Sequence, residues 1–405
     1  MSLLPTASIK HVAVTPLSGN AASTVISEQD FDRAVKEICE WQNYEPSPLY
    51  SLVELATAID VAEVLYKHEG PRFGLASFKA LGGAYAALRV LQRLITESSA
   101  ANSADKPSSE VALSDIRNGN YADQCAKLTL VSATDGNHGR SLAWGCQRFG
   151  SPCRIYIHAE VSEGRADIMR GFGAEVIRVD GDYDESVRIT KAEAQENGWH
   201  VVSDTSWPGY TEPPRDVMAG YGVMVKEITE QLDQAPTHVF LQGGVGGLAA
   251  GVAAALRQSW QDKSPRVIVV EPELAACLYE SAKAGESTTV EIEEETLMAG
   301  LSCGEPSPLA WEILKEEAED FLTIPESLVA PTVRLLANPP GSDPKIEAGE
   351  SAIAGLAALI SIRTDTSDSE LANRLQLDEN SRVLLIGSEG ITDPEIFEAI
   401  MQGRL

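Results

Sequence analysis

The stretch KLTLVSATDGNHGRSLAWGCQRFGSPCRIYIHA (Lys127–Ala159) decides the fold class. Two short runs rich in β-branched residues, KLTLVSAT and PCRIYIHA, flank a segment with helical spacing, and ADIMRGFG followed by AEVIRVDG repeats the alternation. Strand, helix and strand in that order read as βαβ units, since a parallel crossover needs about a dozen residues and a helix supplies them. A second series is expected to begin at HVVSDT (from His200) and to run through THVFLQGG, LAAGVAAALRQSW and RVIVVEPE to RVLLIGSEG. Two open, parallel-type sheets in two lobes follow, and a chain of 405 residues is long enough for both. ESSAANSADKPSSEVALSD (Glu97–Asp115) reads as a surface excursion lengthening one connection.

The chain carries 32 basic against 60 acidic residues, a net charge of −28, which repels nucleic acid phosphates and anionic lipid. Neither is expected as a partner. The acidic runs EIEEET (Glu291–Thr296) and KEEAED (Lys315–Asp320) read as solvated faces. No apolar run reaches the length of a membrane span, and MSLLPTASIKHVAVTP lacks the basic end and apolar core of a signal peptide, so a cytoplasmic protein is expected. Cys39, Cys125, Cys146, Cys153, Cys277 and Cys303 include no CxxC pair, which argues against a zinc site and a disulfide framework. No metal site is expected.

Ligands of parallel sheets gather beyond the carboxyl ends of strands, and four turns there have unusual composition. SFKALGGAYA (Ser77–Ala86) holds Lys79 in a small, apolar setting. Burial lowers an amine's pKa and makes it nucleophilic toward carbonyls, although a lone lysine more commonly packs its stem and leaves its head in water. In SATDGNHGRSLAW (Ser132–Trp144), Gly136 and Gly139 permit close backbone approach, and the helix-start amides suit a carboxylate. There Asn137 offers a donor to a ring oxygen, while Asp135 is either a proton acceptor or an N-cap. LQGGVGGLAAGVAAAL (Leu241–Leu256) sets Gly243, Gly244, Val245, Gly246 and Gly247 between a strand and a helix, a phosphate cradle by composition. It is neither a Walker loop nor a clean dinucleotide fingerprint. LLIGSEGITDP (Leu384–Pro394) presents the hydroxyl of Ser388, suited to a heteroaromatic nitrogen. Lysine, asparagine, glycine cradle and hydroxyl together describe a site for pyridoxal 5′-phosphate.

At these residues the chain resembles the fold-type II pyridoxal phosphate enzymes and, within them, the diaminopropionate ammonia-lyase family. RFGLASFKALGGAYA, SATDGNHGRSLAWG, SDTSWPGYTEPP, QGGVGGLAAGV, MAGLSCGEPSP, GESAIAGL and GSEGITDP carry the likeness over nearly the whole chain, in order. The resemblance implies an α/β, two-domain, tryptophan-synthase β-like fold, with a cofactor domain over 1–88 and 232–405 and a smaller inserted domain over 89–231. It implies a homodimer acting on a small amino acid, and β-elimination of 2,3-diaminopropionate, D or L, to pyruvate and ammonia. By position, Lys79 is the Schiff-base lysine, with Phe78 beside the cofactor, Asn137 at its phenolic oxygen, Gly243 to Gly247 at its phosphate and Ser388 at its ring nitrogen. Asp135 and Asp204 match the bases for opposite enantiomers, and Ser77, Thr134, His138 and Tyr210 surround the substrate.

This chain departs from the family pattern in SWPGYTEPPRDVMAGY (Ser206–Tyr221) and at Ala76 and Ser77. Arg215 would bind an extra substrate carboxylate or, as a surface arginine, pair with nearby acid. A larger 3-(substituted amino)alanine or 3-hydroxyaspartate therefore stands as a second candidate substrate. Threonine or serine dehydration is a further reading of the same motifs, and a cofactor-binding regulatory protein without turnover is the reading outside enzymes.

Overall fold

The computed structural model describes residues 3–102, 110–134, 136–181, 183–364 and 369–405. The chain divides into two compact units, one of Met1–Gln29, Glu45–Phe78 and Met224–Leu405, the other of Asp30–Tyr44 and Lys79–Val223.

The larger unit is built on a seven-stranded sheet. Its strands are β1 (Lys10–Ala13), β2 (Leu49–Ser51), β3 (Glu63–His68), β8 (His238–Gln242), β9 (Arg266–Pro272), β10 (Ala318–Ile324) and β11 (Arg382–Gly387). They lie in the order β1-β10-β9-β8-β11-β3-β2, with every pairing parallel except those of the two edge strands. Central strands such as β8 are buried along their whole length, as expected of a parallel sheet with both faces covered. The helix Ala354–Thr364, buried from Ala354 to Ile362, packs across β8, β9 and β10. KEEAED departs from its expected solvated face: β10 begins inside it, and Asp320 is fully buried. Its two oxygens accept from His11 Nε2 at 2.8 Å and Arg266 Nε at 2.6 Å, so the charge is compensated locally.

The smaller unit carries a four-stranded parallel sheet, β6-β5-β4-β7, from β4 (Leu130–Ala133), β5 (Cys153–Ile157), β6 (Glu175–Arg178) and β7 (His200–Val201). HVVSDT therefore does not open the second sheet. It closes the first, because the amides of His200 and Val202 donate to Thr129 and Val131 carbonyls at 3.0 and 2.8 Å. The inserted unit spans Lys79–Val223 where 89–231 was expected, because Lys79–Asn102 is one unbroken helix packed on the helices Asn137–Phe149 and Glu212–Gly220. Asp30–Tyr44 belongs to it through Trp41, which meets Trp144 and Phe149 edge-on at 5.7 and 6.1 Å between ring centres.

Glycines let these helices approach. A Cβ on Gly220 would stand 2.4 Å from the Leu81 carbonyl oxygen, and one on Gly145 would stand 2.8 Å from Ala84 Cα. Both obstacles are backbone, so neither can swing aside. Gly220→Ala and Gly145→Ala are each expected to lower stability by about 1–3 kcal/mol through overpacking. Gly164→Ala, in open space on a helix, should be neutral or slightly stabilising. Urea denaturation midpoints of the three variants check this.

Candidate active site

Lys79 opens the helix Lys79–Asn102, and its Nζ donates to Asp204 Oδ2 at 2.9 Å. Both side chains are largely enclosed, 22% and 18% exposed. Burial by itself would raise the Asp204 carboxyl, but the Lys79 ammonium, His138 and the Lys79 hydrogen bond outweigh it and hold the group well below the usual carboxylate range.

Asp204 sits in the loop after β7, and that loop is braced from within. The Tyr210 hydroxyl accepts from the Ser203 amide and donates to the Val201 carbonyl, each at 2.9 Å. The Tyr210 ring stacks on Trp207 at 3.9 Å, and the Lys191 ammonium lies 3.8 Å from the Trp207 ring centre. Tyr210 thus acts on the shape of the Asp204 loop. Arg215 is half-buried and ion-pairs with Glu212 one helical turn away.

The turn between β4 and the helix Asn137–Phe149 is organised by Thr134, whose hydroxyl accepts from the amides of Gly136 and Gly139 at 3.3 Å each. Asn137 is the first residue of that helix and is half-buried. His138 is 2% exposed, and its Nε2 lies 2.8 Å from the Val202 carbonyl, which requires a proton on that nitrogen. Its Nδ1 has no hydrogen-bond partner and lies 3.9 Å from Asp204 Oδ2. Asp135 lies outside the described residues. Lys79, Asp204 and His138 are therefore brought together, from three distant segments of the chain.

The larger unit holds the other two turns. Between β8 and the helix Gly247–Trp260, Gly244 and Gly246 adopt φ of +90° and +92°, which only glycine takes without strain. A Cβ on Gly243 would lie 2.2 Å from the Glu271 side chain. Glu271, fully buried at the end of β9, accepts from the amides of Leu278 and Tyr279 at 3.0 and 2.7 Å. Burial pushes its carboxyl up to about 8, against the lowering effect of those amides. Ser388, buried just past β11, accepts through its carbonyl from the Phe78 amide at 2.9 Å. Ala76 accepts from the Gly390 amide at 3.0 Å, and Ser77, 2% exposed, forms an isolated antiparallel bridge with Glu389. The segment preceding Lys79 is thereby pinned to the Ser388 turn.

These residues fit pyridoxal phosphate. Gly244 and Gly246 hold the left-handed turn that leads into the N-terminus of the helix Gly247–Trp260, the setting a phosphate takes, and Lys79 offers an amine in a largely enclosed position. Sequence reasoning missed Glu271. Its signal was a carboxylate directly after the apolar run VIVV, where a buried charge needs a reason.

Residues 40–389 match the family model of pyridoxal-phosphate dependent enzymes. Diaminopropionate ammonia-lyase of Escherichia coli (strain K12) is 38% identical over 365 residues, covering 89% of this chain and 88% of that relative. The crystal structure of the selenomethionine-incorporated holo Escherichia coli diaminopropionate ammonia-lyase superposes with a TM-score of 0.86 at 34% identity, covering 99% of this chain and 98% of that one. A structure of the same Escherichia coli enzyme in complex with D-serine gives a TM-score of 0.86 at 34% identity, over 98% and 97% of the two chains. On these matches the chain belongs to the pyridoxal-phosphate-dependent enzymes and, within them, to the diaminopropionate ammonia-lyase family.

Proposed function

We propose that this chain is a pyridoxal phosphate-dependent lyase that eliminates the β-amine of 2,3-diaminopropionate, D, L or both, with pyruvate and ammonia as final products. The observation that supports it most is the amine and carboxylate held 2.9 Å apart at Lys79 and Asp204. When bound, the cofactor supplies an electron sink for negative charge at the substrate Cα. Lys79 Nζ is the amine that would hold it covalently. Gly243, Gly244, Val245, Gly246 and Gly247 would receive its phosphate, Asn137 its phenolic oxygen and Ser388 its ring nitrogen, with Phe78 alongside.

Asp204, kept ionised by its surroundings, would accept the Cα proton of one isomer at Oδ2. Asp135 would serve the other, because enantiomers present that proton to opposite faces of a planar centre. Amides at the start of the helix Asn137–Phe149 suit the substrate carboxylate, and Thr134 keeps that turn in shape. Ser77 and His138 complete the proposed substrate surroundings, with Tyr210 acting through the Asp204 loop. The D-serine complex of the Escherichia coli relative supports acceptance of D-amino acids. The Arg215–Glu212 pair weakens the case for a more acidic substrate. A homodimer belongs to the same proposal and rests on the family resemblance. Among the described residues no helix is long and apolar enough to cross a membrane.

Purified, cofactor-loaded enzyme should release pyruvate from 2,3-diaminopropionate, and no release from either isomer would reject this function. Asp204→Asn should lose about 10²–10⁴-fold in kcat/KM on one isomer and Asp135→Asn a similar factor on the other. Equal losses on both isomers would reject the two-base assignment.

Asp204 also links stability to pH. A carboxyl whose folded pKa lies below its unfolded value of about 3.9 stabilises fully above that pH and loses its contribution as pH falls through the folded value. Cofactor-free wild type should therefore exceed Asp204→Asn in thermal midpoint by a constant margin from about pH 8 to about pH 5, and the margin should close below about pH 4. Scanning calorimetry of both proteins across that range is the measurement.

A further inference from the structure

The residues just before Lys79 are held in an uncommon backbone conformation. Phe73, Gly74 and Ala76 have φ of +50°, +72° and +54°, and left-handed backbone at Phe73 and Ala76 is costly without a glycine. Such a segment persists only where its surroundings over-determine it, and Arg72, at its head, supplies that constraint. The Arg72 side chain is 1% exposed and forks onto two carboxylates. Nε and Nη2 donate to Glu69 Oε2 and Oε1 at 2.8 Å each, and Nη1 and Nη2 donate to Glu227 Oε1 and Oε2 at 2.7 and 2.8 Å. Nη1 also reaches the Glu45 carbonyl at 3.2 Å.

The carboxylates are anchored in turn. Lys67 Nζ lies 2.7 Å from Glu227 Oε2 and donates to the Ser47 carbonyl at 2.8 Å, while the Ser47 hydroxyl donates to Glu69 at 2.5 Å. Lys67, Glu69 and Glu227 have no exposed side-chain surface or are fully buried. Two cations and two anions cancel in this dry cluster, and Arg72 presents donors along two edges of its guanidinium plane, which an ammonium cannot do. The far end of the segment is fastened by the backbone bonds of Ala76 and Phe78 to the Ser388 turn. Lys79 is the next residue in the chain.

The geometry points to Arg72, with Glu69 and Glu227, as a positioning clamp for the reaction: it holds the left-handed backbone at Phe73, Gly74 and Ala76 and so sets where the Lys79 amine stands. Arg72 touches no reacting atom in this scheme, and its effect passes through the backbone. An arginine that serves only the stability of the core would leave the behaviour of Lys79 unchanged once the protein is folded.

The test uses cofactor-loaded protein and follows borohydride trapping of the cofactor on Lys79 by peptide mass spectrometry, beside kcat and KM. Arg72→Lys, folded by circular dichroism, should show incomplete trapping and a kcat lower by about 100-fold, the cost of a misplacement near 1 Å, with KM changed little. Adding Ala76→Gly to Arg72→Lys should recover much of both, because glycine adopts the left-handed conformation without a clamp. Asp343→Ala is the control for plain destabilisation of the same unit. It removes the carboxylate that caps the amides of Glu54 and Leu55, and should lower the thermal midpoint while leaving trapping complete.

Wild-type trapping and kcat in folded Arg72→Lys would overturn the clamp. So would incomplete trapping in Asp343→Ala at an equal loss of thermal midpoint, or a double variant with no recovery. If Arg72→Lys yields no folded protein, Glu69→Gln takes its place, with reduced trapping expected and unchanged trapping overturning the proposal. The inference rests on Lys79 as the cofactor lysine: wild type that is not trapped at Lys79 overturns that assignment and the clamp with it, whereas normal trapping in both proteins removes the clamp alone.

Discussion

The contact of Gly220 with the Leu81 carbonyl, and of Gly145 with Ala84, leaves the first turns of the helix Lys79–Asn102 no room to shift. Steric exclusion of this kind is harder than any hydrogen bond, because backbone cannot rotate out of the way. Everything proposed for Lys79 depends on it. The helix beginning at Lys79 is confined by backbone on two sides, and the segment before it by the Arg72 carboxylate pairs and the Ser388 turn. An amine held this way needs little further ordering before it reacts, which is where an enzyme gains most from preorganisation.

Charge inside the protein is handled in three ways. Asp204 stands beside an ammonium and stays ionised. Glu271 accepts from neutral amides and the Cys277 thiol, so burial prevails and its carboxyl is pushed up to about 8, near neutrality. Glu69, Glu227 and Asp320 lie in compensated groups, where arginine, lysine and histidine supply the opposite sign or a donor. A net charge of −28 describes the surface, and says nothing of which carboxylates are used within. The run KEEAED shows the point, since its exposed-looking composition contains the fully buried Asp320.

Local patterns make the βαβ strands and glycine turns legible in the chain itself. Period and turn chemistry are properties of neighbouring residues, so LTLVSA, CRIYI and LQGGVGG announce themselves. The strands β1, β2, β3 and β10 do not, and the pattern assigns β7 to the other sheet, because which strand a short segment pairs with is set by residues distant in the chain. The unit boundary at Lys79 is also hidden, since only packing tells which core a helix belongs to.

By itself, the sequence determined the fold class and the family, and it proposed residue types for the site, namely lysine, asparagine, paired acids, glycine cradle and serine in a fixed order. Tertiary structure alone decided that the Lys79 amine and the Asp204 carboxylate, 125 residues apart, share a hydrogen bond. It also decided that His138 faces the same carboxylate, that Tyr210 shapes its loop, that Arg215 pairs with Glu212 and that the Glu271 side chain lies against Gly243. The physical reason is common to all of these. Turn and helix signals are written in a few adjacent residues, whereas electrostatic coupling falls off within a few ångströms and depends on which distant segments the packing brings that close.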